Sequence, residues 1–183
     1  MRTYSSLMLA GAVLATSLTA VNLAQAAGPL DQQIVNTAQG FMGKRVGSGQ
    51  CTDFVSEVLR LSNAKGITYE KWTVVVNNKV TKIDSYGWGK RYVQLGKNRP
   101  PLRPKAGNIM QFESCHFEYR NANSWGSYDY GIPHHTAIVK SVNGSVVTLL
   151  HQNAPVGGPV VEATIDLSWL KSGHYKFYEA IPQ

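Results

Sequence analysis

Apolar residues recur at helical spacing in two segments that follow residue 28. The first segment opens with Pro29 and Asp31, residue types that favour a helix N-terminus, and stops at Gly43 and Gly47. The second segment covers about 51–62 and places four apolar side chains on one face, namely Phe54, Val55, Val58 and Leu59. We therefore expect two amphipathic helices, each with one buried face.

The second half of the chain has the pattern of strands. Five runs rich in β-branched and aromatic residues are separated by Gly, Asn and Pro. They are Asn108–Glu113, Thr136–Val142, Ser145–His151, Val160–Ile165 and Tyr175–Ile181. Helices followed by strands predict an α+β domain, with N-terminal helices and the second helix packed on an antiparallel β-sheet.

Two segments carry weaker patterns. Between residues 64 and 105 only Thr73–Val76 indicates a strand, and Pro100, Pro101 and Pro104 mark a connector. The segment 114–133 mixes aromatic residues with Asn, Ser and Gly, so we expect a long loop there. Loops of that length in compact domains are usually functional or mobile.

Residues 1–26 are typical of a secretory signal peptide. Arg2 precedes the apolar run Leu7–Leu14, and Ala24-Gln25-Ala26 fits a cleavage site. The apolar run is too short for a retained membrane helix, so we expect export to the periplasm or the exterior without stable membrane insertion. Removing these 26 residues from the 183-residue chain leaves 157, the size of one domain, and we expect 27–183 to form a monomer.

The charge of the mature chain favours an anionic partner. Removing Arg2 from the 18 Lys and Arg residues leaves 17 against 11 Asp and Glu, a net charge of +6. Six basic residues and no acidic residue lie within Gly89–Lys105, which is either a solvated loop or a patch that binds the cell wall. Nucleic acid is excluded as a partner by export and by the absence of any zinc-finger spacing or recognition-helix pattern.

Cys51 and Cys115 are too few for a disulfide scaffold and wrongly spaced for a metal site, so no metal or cofactor is expected. The two cysteines form a structural bridge, or one of them is a reactive thiol. Cys51 begins the second helix, directly after Gly47–Gln50, where free N–H groups and the helix dipole stabilise a thiolate. The alternative interpretation of Cys51 is a buried core cysteine.

A thiol nucleophile needs a base and a third polar group that orients the base. His135 begins one predicted strand, and His151 and Asn153 end the next. A two-residue turn at Asn143-Gly144 would place His135 opposite Gln152. A three-residue loop with Gly144 in the left-handed conformation would place His135 opposite His151, and we favour it because it puts His135, His151 and Asn153 on one face.

Four blocks of the chain resemble a known family. They are Gly49–Val55, Pro104–Phe112, His135–Val139 and Leu150–Asn153, and they occur in the same order in the cysteine, histidine-dependent amidohydrolase/peptidase (CHAP) domains and their NlpC-type relatives. The resemblance covers about residues 45–155. It implies a papain-like fold and metal-free cleavage of amide bonds in peptidoglycan, with Cys51 as nucleophile, His135 as base and His151 or Asn153 as third member. Asn108 in place of the usual Asp, and the long segment 114–133, depart from the family.

Other residues have possible supporting roles. Gln50 and the N–H groups before Cys51 are candidate oxyanion donors. Aromatic side chains would line a substrate cleft or serve as ordinary packing, namely Trp88, Trp125, Tyr128 and Tyr130. His134 adjoins His135 but faces the opposite side of a strand, which indicates a rim residue.

Three functions fit this sequence. The first is an exported cysteine hydrolase that cuts peptidoglycan as an amidase or endopeptidase. The second keeps the chemistry but acts on another protein, a small amide or a lipid. The third is an exported binding module on the same scaffold, in which Cys51 does not react.

Overall fold

The structure, a computed structural model, describes residues 28–76, 79–92, 103–120 and 124–183. The expected signal peptide and most of the basic segment that follows Gly89 lie outside these residues. Among the described residues, no helix is both long enough and apolar enough to cross a membrane.

Both expected helices are present. Helix α1 covers Pro29–Gln39 and ends before the glycines that we expected to end it. Helix α2 covers Cys51–Leu61, and all four of the apolar side chains assigned to its inner face are fully buried. A local pattern was sufficient here, because the 3.6-residue period of an amphipathic helix is read within a dozen residues.

Strands make up most of the rest. Two strands form a separate hairpin, β1 (Thr68–Val76) with β2 (Lys79–Gly87). The remaining strands are β3 (Lys90–Arg91), β4 (Ile109–Arg120), β5 (Trp125–Asn143), β6 (Val146–His151), β7 (Val161–Asp166) and β8 (Leu170–Glu179). These six form one antiparallel sheet in the order β3-β8-β4-β5-β6-β7, and a 3-10 helix over Leu167–Trp169 joins β7 to β8.

The sheet separates two apolar clusters. On one face α2 packs against β5 and β6, and its Phe54, Val55 and Val58 join Ile138 and Leu150 in a fully buried cluster. The opposite face carries the second cluster, to which β4 contributes Met110, Phe112, Cys115 and Phe117. Alternate residues of β4 and β5 therefore serve different cores, and the two strands are buried on both sides over 109–112 and 135–139.

The expected α+β fold class is wrong. The described residues are mostly antiparallel strand, with two helices of 11 residues each. The segment 114–133 accounts for much of the error, because β4 and β5 run through it as a hairpin and not as a loop. Its aromatic residues pair across the two strands, as Phe117 does with Tyr128, whose stacked rings are 5.2 Å apart. The interspersed Asn, Ser and Gly residues obscured this two-residue period.

Both expected registers of the β5–β6 hairpin are also wrong. Asn143 pairs with Val146, so Gly144-Ser145 is the turn, and a register shift between Val139 and Ser141 adds one residue to β5. Gly144 has a φ of +61°, which suits the first position of such a turn. The pair Ile138–Leu150, continued along the strands, brings His135 level with Asn153 and diagonal to His151.

The start of β4 is held tightly against α1. The Lys105 ammonium lies 2.6 Å from the Asp31 carboxylate of α1 and 3.1 Å from the Glu179 carboxylate of β8. Asn108, the residue that departs from the CHAP pattern, is buried, and its side-chain oxygen accepts a hydrogen bond from the Lys105 N–H. Asn108 thus has a structural contact in this fold.

Gly107 provides a test of this junction. Its φ is +85°, and a Cβ atom there would lie 2.5 Å from the Asp31 Cα atom. We predict that Gly107→Ala lowers the free energy of unfolding by about 2–4 kcal/mol, because steric overlap adds to backbone strain. Urea denaturation of the mature chain measures the loss.

Gly43→Ala is the matched control. Gly43 has a φ of +74°, but a Cβ there meets nothing within 4 Å, so only the backbone strain remains, about 1 kcal/mol. Equal losses for the two variants would contradict the close approach of β4 to α1.

Candidate functional site

Cys51 lies at the N-terminus of α2 with 9% of its surface exposed. Burial raises the pKa of its thiol, and the nearby backbone of Thr136 in β5 partly opposes that rise. Thr136 directly follows His135 in the chain. Helix α2 therefore places the Cys51 thiol near Thr136, the residue that follows the predicted base His135.

Gln152 fixes the loop that leads into α2. Its side chain accepts a hydrogen bond from the Val46 N–H at 2.6 Å and donates to the carbonyl oxygens of Val46 and Gln50, both at 3.0 Å. Gln152 is fully buried and directly follows His151. This role of Gln152 was not predicted, because nothing local in the sequence indicates which loop a strand-end glutamine will contact.

Asp53 holds the same loop from the helix side. Its Oδ2 atom accepts hydrogen bonds from the N–H and the hydroxyl of Ser48, at 2.7 and 2.5 Å. These hydrogen bonds, with that from the Ser48 side chain the larger, lower the pKa of the Asp53 carboxyl. The loop that leads into α2 is thus held both by Asp53 of that helix and by Gln152 at the end of β6.

The two histidines are in direct contact. The Nε2 atom of His135 lies 3.1 Å from the Nδ1 atom of His151, and both side chains are buried. One nitrogen must donate the proton of this hydrogen bond and the other must accept it. If His135 Nε2 donates, His135 Nδ1 carries a lone pair and has the tautomer of a general base.

The thiol and the two imidazoles are neutral at rest. Burial lowers the pKa of His135 to about 3, with a contribution from the neighbouring His151, and burial also lowers the pKa of His151 to about 4. Burial raises the pKa of the Cys51 thiol, and this effect exceeds that of the N–H groups around the sulfur. The prediction of a stabilised thiolate is therefore wrong: desolvation outweighs the helix N-terminus.

Asn153 lies apart from the histidine contact. It has a φ of +78°, leaves the strand, and donates from Nδ2 to the side-chain oxygen of Gln50 at 3.1 Å. Its own side-chain oxygen accepts a hydrogen bond from the Gly157 N–H at 2.6 Å. The contact to His135 is made by His151, and Gln50 lies exposed at the N-cap of α2.

The predicted cleft aromatics fall in different places. Trp88 is fully buried and donates its indole N–H to the side-chain oxygen of Gln111 at 3.1 Å, so it belongs to the core. Trp125 is 80% exposed at the far end of the β4–β5 hairpin, where it pairs with Arg120. Tyr130 is the aromatic residue that meets the histidines, with its ring centre 4.8 Å from that of His135.

Cys115 is separate from the site. It is fully buried in the second cluster, its sulfur lies 3.1 Å from the His174 carbonyl oxygen, and no disulfide joins it to Cys51. Burial raises its pKa to about 11. In the part of the chain that the structure describes, no group of three or more His, Cys, Asp or Glu side chains is placed to hold a metal ion.

Comparisons with known proteins identify the family of this chain. A solved structure titled "The crystal structure of Ly7917" aligns with a TM-score of 0.45 and 15% identity, over 83% of this chain and 62% of that one. This chain thus spans less than two thirds of the length of that protein. No curated protein matches the sequence significantly. The model of one family, described as "AIM3/BBC1 Cysteine proteinase-fold domain", matches residues 13–183. The chain therefore belongs to the AIM3/BBC1 cysteine proteinase-fold family, and its fold is that of a papain-like cysteine protease.

Proposed function

We propose that this chain is an exported cysteine hydrolase that cleaves amide bonds in peptidoglycan through a thioester on Cys51. The observation that carries the proposal is the 3.1 Å contact between His135 and His151, together with a Cys51 thiol close enough to the next residue, Thr136, for that backbone to influence its pKa. A nucleophile, a base and an orienting group in one buried place are the requirements of acyl transfer through cysteine. The cysteine proteinase fold of the family supports the same chemistry.

The proposed reaction starts from neutral groups. As the Cys51 sulfur forms a bond to the amide carbon, the thiol proton moves to Nδ1 of His135 and the carbonyl electrons move to oxygen. The imidazolium formed on His135 donates through Nε2 to His151, which stabilises it. The C–N bond then breaks, the amine leaves with the proton from His135, and water hydrolyses the thioester.

Peptidoglycan is proposed as the substrate on three grounds from the sequence. They are the resemblance of four blocks to the CHAP and NlpC-type domains, the signal-like N-terminus and the net charge of +6 of the mature chain. Both amidase and endopeptidase activity fit these grounds.

A non-catalytic binding module is the second candidate. The burial of Cys51 and the raised pKa of its thiol favour it, because a neutral thiol is the less reactive form. This candidate predicts that the chain binds purified sacculi and leaves them intact.

We predict that Cys51→Ala abolishes the release of peptidoglycan fragments, because the thiol supplies the covalent path. Soluble fragments from purified sacculi, identified by mass spectrometry, give the measurement. Cys115→Ser is the matched control: it changes the other free thiol and should keep the activity. Equal fragment release by Cys51→Ala would refute the assignment.

A second pair of variants identifies the third member of the site. His151→Ala should lower kcat at least about 100-fold, since it leaves the His135 imidazole without its hydrogen-bond partner. Asn153→Ala should affect kcat much less, because Asn153 bonds Gln50 and Gly157 and not His135. The reverse order of losses would assign the orienting role to Asn153.

The pH dependence should differ from that of a thiolate–imidazolium pair. The base must be neutral, and with pKa values lowered to about 3 and 4 the histidines lose this form only as the pH falls through that range. Hydrolysis should therefore keep its full rate down to about pH 5. Alkylation of Cys51 by iodoacetamide should increase up to and beyond pH 9, because burial raises the thiol pKa above its ordinary 9.0.

Cys51→Ala supplies the background alkylation of Cys115. A plateau of Cys51 alkylation at pH 6–7 would show that the thiolate forms at rest and would contradict the neutral site. Slow alkylation at neutral pH is expected of a neutral thiol in either candidate, so the release of fragments from sacculi separates the two.

A further inference from the structure

Tyr130 lies in contact with both histidines of the site. Its ring centre is 4.8 Å from that of His135 and 5.7 Å from that of His151, and in both cases the rings meet edge to face. Phe112 packs on Tyr130 with the same geometry at 4.8 Å. Three neighbours therefore hold the ring in one orientation.

The hydroxyl of Tyr130 has no partner among the described residues. Its oxygen is buried and makes no hydrogen bond, although a buried hydroxyl without a partner costs about 1–3 kcal/mol. Phenylalanine would make the same ring contacts without this cost. The packing of the ring therefore does not account for the presence of the hydroxyl.

The hydroxyl is close enough to the nucleophile to sense its charge. Burial raises the pKa of Tyr130, and a negative charge on Cys51 raises it further. Yet no hydrogen bond joins the Tyr130 oxygen to the Cys51 sulfur. The proton of the hydroxyl is therefore not engaged by the sulfur.

We propose that Tyr130 is a catalytic residue, whose hydroxyl donates a hydrogen bond to the oxyanion formed when Cys51 attacks a carbonyl. The proposal rests on the proposed function, since it needs Cys51 to be acylated. In the step, the sulfur–carbon bond forms, the carbonyl π electrons move to oxygen, and the thiol proton moves to His135. The Tyr130 hydroxyl keeps its proton throughout, and its hydrogen bond to the oxyanion is lost when the tetrahedral intermediate collapses.

Two small reagents separate this role from others. p-Nitrophenyl acetate acylates a thiol through a tetrahedral oxyanion and releases p-nitrophenolate, whereas iodoacetamide alkylates the thiol by displacement at a saturated carbon, without an oxyanion. The reactions of Cys51 with both reagents can be measured without the natural substrate. Each chain is compared with the same chain carrying Cys51→Ala. Subtracting the rate of that second chain removes the reaction of Cys115 with the reagent.

Tyr130→Phe should slow the acylation of Cys51 by about 100-fold, the typical loss of one oxyanion donor. It should leave the alkylation rate unchanged, because the ring still contacts both histidines. Tyr128→Phe is the matched control: the Tyr128 hydroxyl is also buried without a partner, but its ring stacks on Phe117 and not on a histidine. It should change neither rate.

Acylation of Tyr130→Phe at the wild-type rate would overturn the proposal. Equal slowing of acylation and alkylation would also overturn it, because the hydroxyl would then act on the sulfur itself. Failure of the proposed function has a different signature, which is intact sacculi in the presence of a wild-type chain whose Cys51 is acylated. A wild-type Cys51 that is not acylated at all would overturn both proposals.

Discussion

The hydrogen bonds of Gln152 connect the two halves of the site. Cys51, the proposed nucleophile, belongs to a helix, and His135, the proposed base, belongs to a strand on which that helix packs. Gln152 continues the strand of His151 and bonds backbone groups of Val46 and Gln50 in the loop before Cys51. One buried side chain thus links the loop before the thiol to the strand end that carries His151, and the geometry of the proposed reaction depends on this link.

Burial is the second constraint on this site. The same sheet that brings the histidines together removes them, and the thiol, from water. Desolvation favours the neutral form of each group, so the positive end of α2 does not produce a thiolate. Proton transfer must then accompany the attack of Cys51 and cannot precede it. A hydroxyl donor such as Tyr130 gains importance in such surroundings, because the charge that develops during the reaction has little other solvation.

The sequence predicts the parts of this site that local patterns control. The period of α2 placed Cys51 at a helix N-terminus, and the strand ends brought His135 and His151 together although both expected registers were wrong. Features that depend on tertiary contacts could not be predicted from these local patterns. The raised pKa of Cys51 and the role of Gln152 depend on what packs against them. The long β4–β5 hairpin was missed because turn-forming residues are scattered along its aromatic period.

The neutral state of Cys51 has a consequence for the lifetime of the protein. Peroxides and other two-electron oxidants attack thiolates much faster than thiols, and the first product, a sulfenic acid, no longer acts as a nucleophile. The proposed export would expose Cys51 to these oxidants without the reducing systems of the cytoplasm. A thiol that stays protonated until a substrate arrives gives up some reactivity at rest, and in exchange it resists inactivation between turnovers.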